Sequence, residues 1–186
     1  MKNNFLYAVA AIDNNRAIGF ENNLLHHSEK DLQYFKDLTI GKTVVMGGNT
    51  FRSLPGQKPL KNRINIILSN SIISTDKNMH VVNNLKSLHE IIDEYLKYSD
   101  VFIIGGEMLY NEFKDEFDGL YITHICTEFD KADTYFPDII DNNVDKKVTW
   151  MHRTFLSTWN EKINGKDVCM RFTKYYTRLK GGIKNE

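Results

Sequence analysis

Two four-residue runs, each ending in a pair of glycines, constrain this chain more than any other feature. Thr43-Val44-Val45-Met46 runs into Gly47-Gly48 and the polar pair Asn49-Thr50, and Val101-Phe102-Ile103-Ile104 runs into Gly105-Gly106 and Glu107. A short apolar run without alternation marks a strand covered on both faces, as in a parallel sheet flanked by helices. Glycine lets the chain leave such a strand and open a helix at once, and the two helices are expected to run through Leu54 and Phe113. Phe5 to Ile12 is a third run, expected near the centre of the sheet, and Arg63 to Ser69 and Met79 to Val82 add two more strands.

Helices fit between these strands. Ser28 suits an N-cap for a helix over Glu29 to Thr39 that ends at Gly41, with Leu32, Phe35, Lys36 and Leu38 on its apolar face. Leu85, Leu88, Ile91, Ile92 and Tyr95 share a face of another helix. Strands alternating with helices imply parallel crossovers. The C-terminal third changes character: Leu120 to Phe129 is strand-like, and Val148 to Trp159 and Lys166 to Tyr176 are two strands joined through Asn164-Gly165, a strong tight-hairpin signal. The expected fold is therefore α/β, a mostly parallel sheet completed by an antiparallel edge, in one domain over residues 1–177 with a polar tail at 178–186. Asp13 to His27 lacks any period and is expected to be a long functional loop.

Lys plus Arg and Asp plus Glu number 24 each, so no net field draws the chain to nucleic acid or an anionic membrane, and an anionic ligand must be held by local groups. A monomer is the default, since neither a coiled coil nor an interface stripe is visible. Cys126 and Cys169 lie far apart without a CxxC or Cys/His cluster, which argues against a disulfide framework or a metal site. Met1-Lys2-Asn3-Asn4 precedes an apolar run soon broken by Asp13, Asn14, Asn15 and Arg16, so neither a signal peptide nor a membrane span is expected and the setting is read as cytoplasmic.

Where a strand stops and a helix starts, unpaired backbone N–H groups can hold an anion, and glycine lets a phosphate approach the main chain. One Gly-Gly pair alone is as well explained by a tight turn; two pairs suit a diphosphate, although neither matches GxGxxG or the Walker pattern. Asp31 follows Ser28 at the spacing of a capping box, so from spacing alone its carboxyl is expected to return to the helix start. Arg63, taken alone, is a solvated charge at a strand end.

The ordered series Ala10-Ala11, Ile18-Gly19, Glu21-Asn22, Asp31-Leu32-x-x-Phe35-Lys36, Thr39, Val45-Met46-Gly47, Thr50-Phe51-x-Ser53-Leu54, Pro59-Leu60, Arg63-x-Asn65-Ile66-Ile67-Leu68-Ser69, Ile104-Gly105-Gly106, Tyr110, Tyr121-Ile122-Thr123 and Phe136-Pro137 resembles the dihydrofolate reductase family from roughly Phe5 to Pro137. The resemblance implies an eight-stranded, mostly parallel sheet and NADPH-dependent reduction of 7,8-dihydrofolate, with antifolates as inhibitors. It makes Asp31 the acid of the pterin pocket, supported by Thr123, and Arg63 the grip on the α-carboxylate of the folate tail. Val9, Ala10, Leu32, Phe35, Leu54, Leu60, Ile104 and Tyr110 resemble the walls around the substrate.

On the cofactor side the resemblance assigns Ala11, Ile18 and Gly19 to the nicotinamide region. Gly47, Gly48, Asn49 and Thr50 resemble one phosphate-binding turn, and Gly105, Gly106, Glu107, Met108 and Leu109 the other, with a cis Gly105–Gly106 bond. Ile104 and Tyr110 flank the second turn, Leu68, Ser69 and Asn70 border the adenosine phosphate, and Thr134 completes the set.

Two departures stand out. The family has Leu-Pro-Trp before its acid, whereas this chain has Leu24-Leu25-His26-His27, which puts Leu24 and a titratable His26 beside the chemistry. Gly48 stands where many relatives carry a basic residue for the 2′-phosphate; Arg52, Lys77 and Lys86 are the cations the chain offers instead. The rival functions are a riboflavin-pathway pyrimidine reductase of the same fold, which has no need of the Asp31 and Arg63 pair, and a catalytically silent folate- or RNA-binding module, against whose RNA form the zero net charge speaks.

Overall fold

A computed structural model of the chain describes residues 4–74, 76–140 and 150–177. The main sheet is built from β1 (Leu6–Ile12), β4 (Thr43–Gly47), β5 (Ile64–Leu68), β6 (Met79–Val82), β7 (Val101–Ile103), β8 (Gly119–Ile125), β10 (Trp150–Ile163) and β11 (Lys166–Thr177). Its order is β10-β11-β8-β1-β7-β4-β5-β6. From β8 to β6 every neighbouring pair is parallel, while β11 runs antiparallel to β8 and β10 antiparallel to β11. The expected mostly parallel, eight-stranded sheet with an antiparallel edge is thus the observed one, and β1 lies inside it as its apolar run requires.

Both faces of the parallel part are covered, which explains the runs without alternation. Val45, Ile66 and Ile103 face one layer with Leu88 and Ile92 of α3 (Leu85–Tyr95), whose N-cap Asn84 accepts from Ser87 N. Val44, Met46, Ile67 and Phe102 face the other, with Phe51 of α2 (Gly48–Ser53). A fourth helix, α4 (Glu107–Glu112), follows β7.

Helix α1 (Glu29–Thr39) begins at Ser28 as expected. Its docking face differs from the anticipated one. Leu32 stays 44% exposed, and only Thr39 is fully buried. Leu38 of the expected face packs on the cluster containing Phe51, and Tyr34 adds a contact outside it, its ring centroid 3.9 Å from that of Phe172 on β11.

The stretch 13–27, expected to be loop, contains β2 (Ala17–Phe20) and β3 (Asn23–Leu24), which join β9 (Thr134–Tyr135) in a small sheet of order β3-β2-β9. Glu21 and Asn22 both have positive φ and form the two-residue turn between β2 and β3. Asp13 fixes the exit from β1, its carboxylate accepting from Asn15 N, Ala17 N and Phe129 N. The C-terminal hairpin turns at Asn164-Gly165, both at positive φ, with Ile163 paired to Lys166. β8 ends at Ile125 rather than Phe129, and β10 extends past Trp159 to Ile163. The expected strand start at Val148 and the tail 178–186 lie outside the described residues.

Candidate functional site

The carboxyl ends of the parallel strands open onto a cleft of about 790 Å³, the size and place in which open α/β sheets bind small molecules. The nucleotide-side expectations converge on it. Ala11, Ile18 and Gly19 line one end, Gly47 to Thr50 and Leu68-Ser69 the other, and Ile104 to Tyr110 and Thr134 close it. Asn70 is the one residue of that set that does not line the cleft.

The two glycine pairs meet in its floor. Gly47 N donates to Gly105 O at 2.8 Å, and the Gly105–Gly106 peptide is cis. Neither α2 nor α4 has a side-chain cap, so no side chain covers their first N–H groups. A Cβ on Gly105, at φ +132°, would sit 3.2 Å from Thr50 Oγ1, and one on Gly48 would sit 3.0 Å from Ser69 Oγ and 3.3 Å from Arg52 Nη1. The floor is therefore bare main chain where a diphosphate would lie, as a dinucleotide requires.

Of the three cations considered for the 2′-phosphate, Arg52 lines the cleft and Lys77 and Lys86 do not. One helical turn beyond Gly48, its Nη1 donates to Asn49 Oδ1 (3.1 Å) and its Nη2 to Ser71 Oγ (2.5 Å). Ser69 Oγ accepts from Ser71 N at 3.2 Å, which completes a polar corner of one guanidinium and two hydroxyls.

Asp31 does not return to its helix start. Ser28 Oγ accepts from Asp31 N (3.1 Å), but the Asp31 carboxyl accepts instead from Thr123 Oγ1 on β8 (2.5 Å), 92 residues away. The register pairs Thr123 with Ala11, a cleft residue, so the acid and the nucleotide side meet across one strand pair. Burial holds the Asp31 carboxyl above the ordinary carboxylate range; the Thr123 hydrogen bond opposes this, Glu161 adds to it and His26 opposes it. A carboxyl so placed keeps its proton to higher pH than one in water.

The substrate-side residues are divided: some line the cleft, whereas Asp31, Thr123, Val9, Leu32, Phe35, Leu54, Leu60 and Arg63 lie outside its lining. Ala10, Leu24, Ile104 and Tyr110 line the cleft, and Tyr110 Oη donates to Val9 O at 2.7 Å. Leu54 and Leu60 are half-buried against the cluster containing Phe51. Arg63 is not a solvated charge: it is only 8% exposed, its Nε donates to Thr39 Oγ1 (2.9 Å), and its Nη1 and Nη2 donate to Lys61 O and Lys36 O (both 3.3 Å). Its guanidinium carbon lies 5.6 Å from the Phe35 ring centre. Burial lowers its pKa, and among the described residues no carboxylate lies within ion-pair distance of it.

His26 is half-buried, and its Nε2 donates to Glu161 Oε2 at 2.7 Å. His27 is exposed. Glu161 escaped sequence reasoning because nothing local relates a hairpin strand to a loop 135 residues earlier. Asn22, Asn23, Ser53 and Ser71 also line the cleft unanticipated. They are small polar residues at a turn, a bend and the ends of short elements, a pattern too common to single out.

Comparisons with known proteins agree with this arrangement. The family model for dihydrofolate reductase matches residues 5–161. The dihydrofolate reductase of Staphylococcus aureus (strain MSSA476) is 38% identical over 167 residues, covering 84% of this chain and 99% of that protein. The dihydrofolate reductase of Bacillus subtilis (strain 168) is 37% identical over 135 residues, covering 73% of this chain and 77% of that one. Among solved structures, the dihydrofolate reductase from Enterococcus faecalis complexed with NADP(H) and RAB-propyl superposes with a TM-score of 0.72 at 29% identity, covering 93% of this chain and 96% of that one. With its sheet order, its glycine-floored cleft and its acid on the first helix, the chain belongs to the dihydrofolate reductase family.

Proposed function

We propose that the protein reduces 7,8-dihydrofolate to 5,6,7,8-tetrahydrofolate with NADPH, and that Asp31 is the residue on which protonation depends. The observation that carries this is the half-buried Asp31 carboxyl, bonded to Thr123, which pairs in the sheet with the cleft residue Ala11. When bound, NADPH supplies the hydride that reaches C6 of the pterin, and a proton is taken up at N5. Asp31 hydrogen-bonds the amino and amide edge of the ring, and its raised proton affinity favours holding a proton, or a water that carries one, near N5. Thr123 fixes the orientation of the carboxyl. Ala10, Ile104, Leu54 and Leu60 exclude water from the pterin and benzoyl groups, which keeps the two reactants in register.

Arg63 binds the tail carboxylate of the folate. Its support is chemical: three of its five N–H groups are engaged by Thr39, Lys61 and Lys36, which leaves two for a bidentate anion, and it has no carboxylate partner among the described residues. Gly47 to Thr50 and Gly105 to Leu109 hold the diphosphate of NADPH. Arg52 with Ser69 and Ser71 takes its 2′-phosphate in place of the basic residue that Gly48 replaces. Antifolates compete for the Asp31 pocket. We further infer a cytoplasmic monomer without affinity for nucleic acid; the balance of 24 basic and 24 acidic residues and the free thiols of Cys126 and Cys169 support this.

The deciding experiment follows NADPH oxidation with dihydrofolate and, separately, with the phosphoribosylamino-pyrimidine of the riboflavin pathway. Turnover with dihydrofolate alone is expected. Turnover with the pyrimidine alone, or with neither, overturns the proposal.

A further inference from the structure

Between the Asp31 carboxyl and the C-terminal hairpin lies a hydrogen-bonded cluster to which neither substrate nor cofactor binding gives a part. Glu161, near the end of β10, accepts from Ser28 Oγ (2.5 Å) and Trp159 Nε1 (2.6 Å) on Oε1, and from His26 Nε2 (2.7 Å) on Oε2. The side chains of His26 and Glu161 are only 19% and 20% exposed, so this is not a solvated surface pair. Ser28 passes the contact on, since the hydroxyl that donates to Glu161 also accepts from Asp31 N. One carboxylate thus ties both residues flanking the entry to α1 to a strand more than 130 positions later in the chain.

We propose that Glu161 is a positioning residue for the reduction: by clamping Ser28 and His26 it holds the start of α1, and with it the Asp31 carboxyl, against Thr123, and it sets a carboxylate charge beside that carboxyl. The inference rests on the role given to Asp31 above. Three donors converging on one carboxylate is the arrangement that keeps it ionised despite partial burial. Burial pushes Glu161 upward, and the hydrogen bonds from Ser28, Trp159 and His26 outweigh it, leaving the carboxyl below its ordinary range. Its negative charge raises the proton affinity of Asp31, and the charge of His26 lowers it.

The other groups on the packed elements are few. On α1, Lys30 Nζ lies 6.0 Å from the Trp159 ring centre, and Tyr34 interacts with Asp31 and with Tyr121 of β8. On β11 the partner of Glu161 is the apolar Val168, and Phe172 fills the space between Tyr34 and Trp159. Glu161 and His26 are therefore the charges to perturb.

The test uses the full chain with Glu161→Gln, His26→Gln and Asp31→Asn, each checked for folding by Tm. Glu161→Gln keeps an acceptor for Ser28 and Trp159 and removes the charge together with the acceptor for His26, and it is expected to fold. Two readouts are taken: the carboxyl ¹³C titration of Asp31 in the ligand-free protein, identified by its loss in Asp31→Asn, and the pH profile of pre-steady-state hydride transfer. Glu161→Gln is expected to move the Asp31 midpoint down by about half a unit to one unit, and His26→Gln to move it up, each with little change in KM. An unmoved midpoint in Glu161→Gln, or shifts of the same sign in both variants, overturns the proposal. If instead Asp31→Asn transfers hydride at the parent rate, it is the role of Asp31 that fails, and the titration still decides whether Glu161 governs that carboxyl.

Discussion

Replacing Arg52 by Gln should separate the two nicotinamide cofactors. Arg52 is exposed at the rim of the cleft and already positioned by Asn49 and Ser71, so it needs no rearrangement to meet a phosphate beside Ser69. A hydrogen bond to a charged group is worth about 1.5–3 kcal/mol, and solvent exposure discounts this to about 1–2 kcal/mol. That corresponds to roughly 5- to 30-fold weaker NADPH binding. NADH lacks the 2′-phosphate, so its affinity should stay within about twofold, and kcat with dihydrofolate at saturating NADPH should hardly change because the hydrogen-bond partners of Arg52 are Asn49 and Ser71, not Asp31 or Thr123. The effect should also shrink in high salt, since the contact is screened. Fluorescence titration of both cofactors at low and high ionic strength measures this. Equal losses for NADPH and NADH, or none for either, would refute the assignment of Arg52 to the 2′-phosphate.

Further outcomes follow from the same geometry. Arg63→Lys should raise KM for dihydrofolate about 10-fold or more with little change in kcat, because lysine cannot form two parallel bonds to a carboxylate; steady-state kinetics reads the split. Gly105→Ala should weaken NADPH binding and lower stability by about 1–2 kcal/mol, since it places a side chain at positive φ and 3.2 Å from Thr50 Oγ1; cofactor titration and chemical denaturation report the two effects. Asp31→Asn should stabilise the fold at neutral pH. With its folded-state pKa raised above 3.8, the parent's stability falls as pH climbs from that value to the folded pKa and stays reduced above it, whereas asparagine carries no such burden. The Tm advantage of the variant should therefore be present at pH 7.5 and shrink towards pH 4, with each kcal/mol worth about 2–4 °C.

What could be read from the residues, and what could not, divides by range. The strand–Gly-Gly–helix units were legible because the apolar runs, the glycines and the polar openings sit within ten residues of one another. Ser28 and Asn164-Gly165 were legible because capping and tight turns are local chemistry. Asp31 shows the limit. Its capping spacing is genuine, yet a threonine on β8 competes for the carboxyl, and only the sheet register brings that threonine near. Arg63 was misjudged in isolation for the same reason, as its burial depends on carbonyls at the end of α1. The strands β2 and β3 were invisible because they are short and partly polar and find their third partner, β9, more than 110 residues on. The family resemblance supplied the expected roles of Asp31, Thr123 and Arg63, while the structure singled out Arg52 from the three candidate cations and added Glu161, which nothing in the sequence had marked.

The most direct test is single-turnover hydride transfer from NADPH to dihydrofolate at pH 7, followed by stopped flow in the parent and in Asp31→Asn, with both ligands saturating. The expected result is a fall of about 10²–10⁴-fold in the transfer rate, while NADPH affinity is unchanged and the variant stays folded. Transfer at the parent rate in a folded Asp31→Asn protein would contradict the assignment of protonation to this acid.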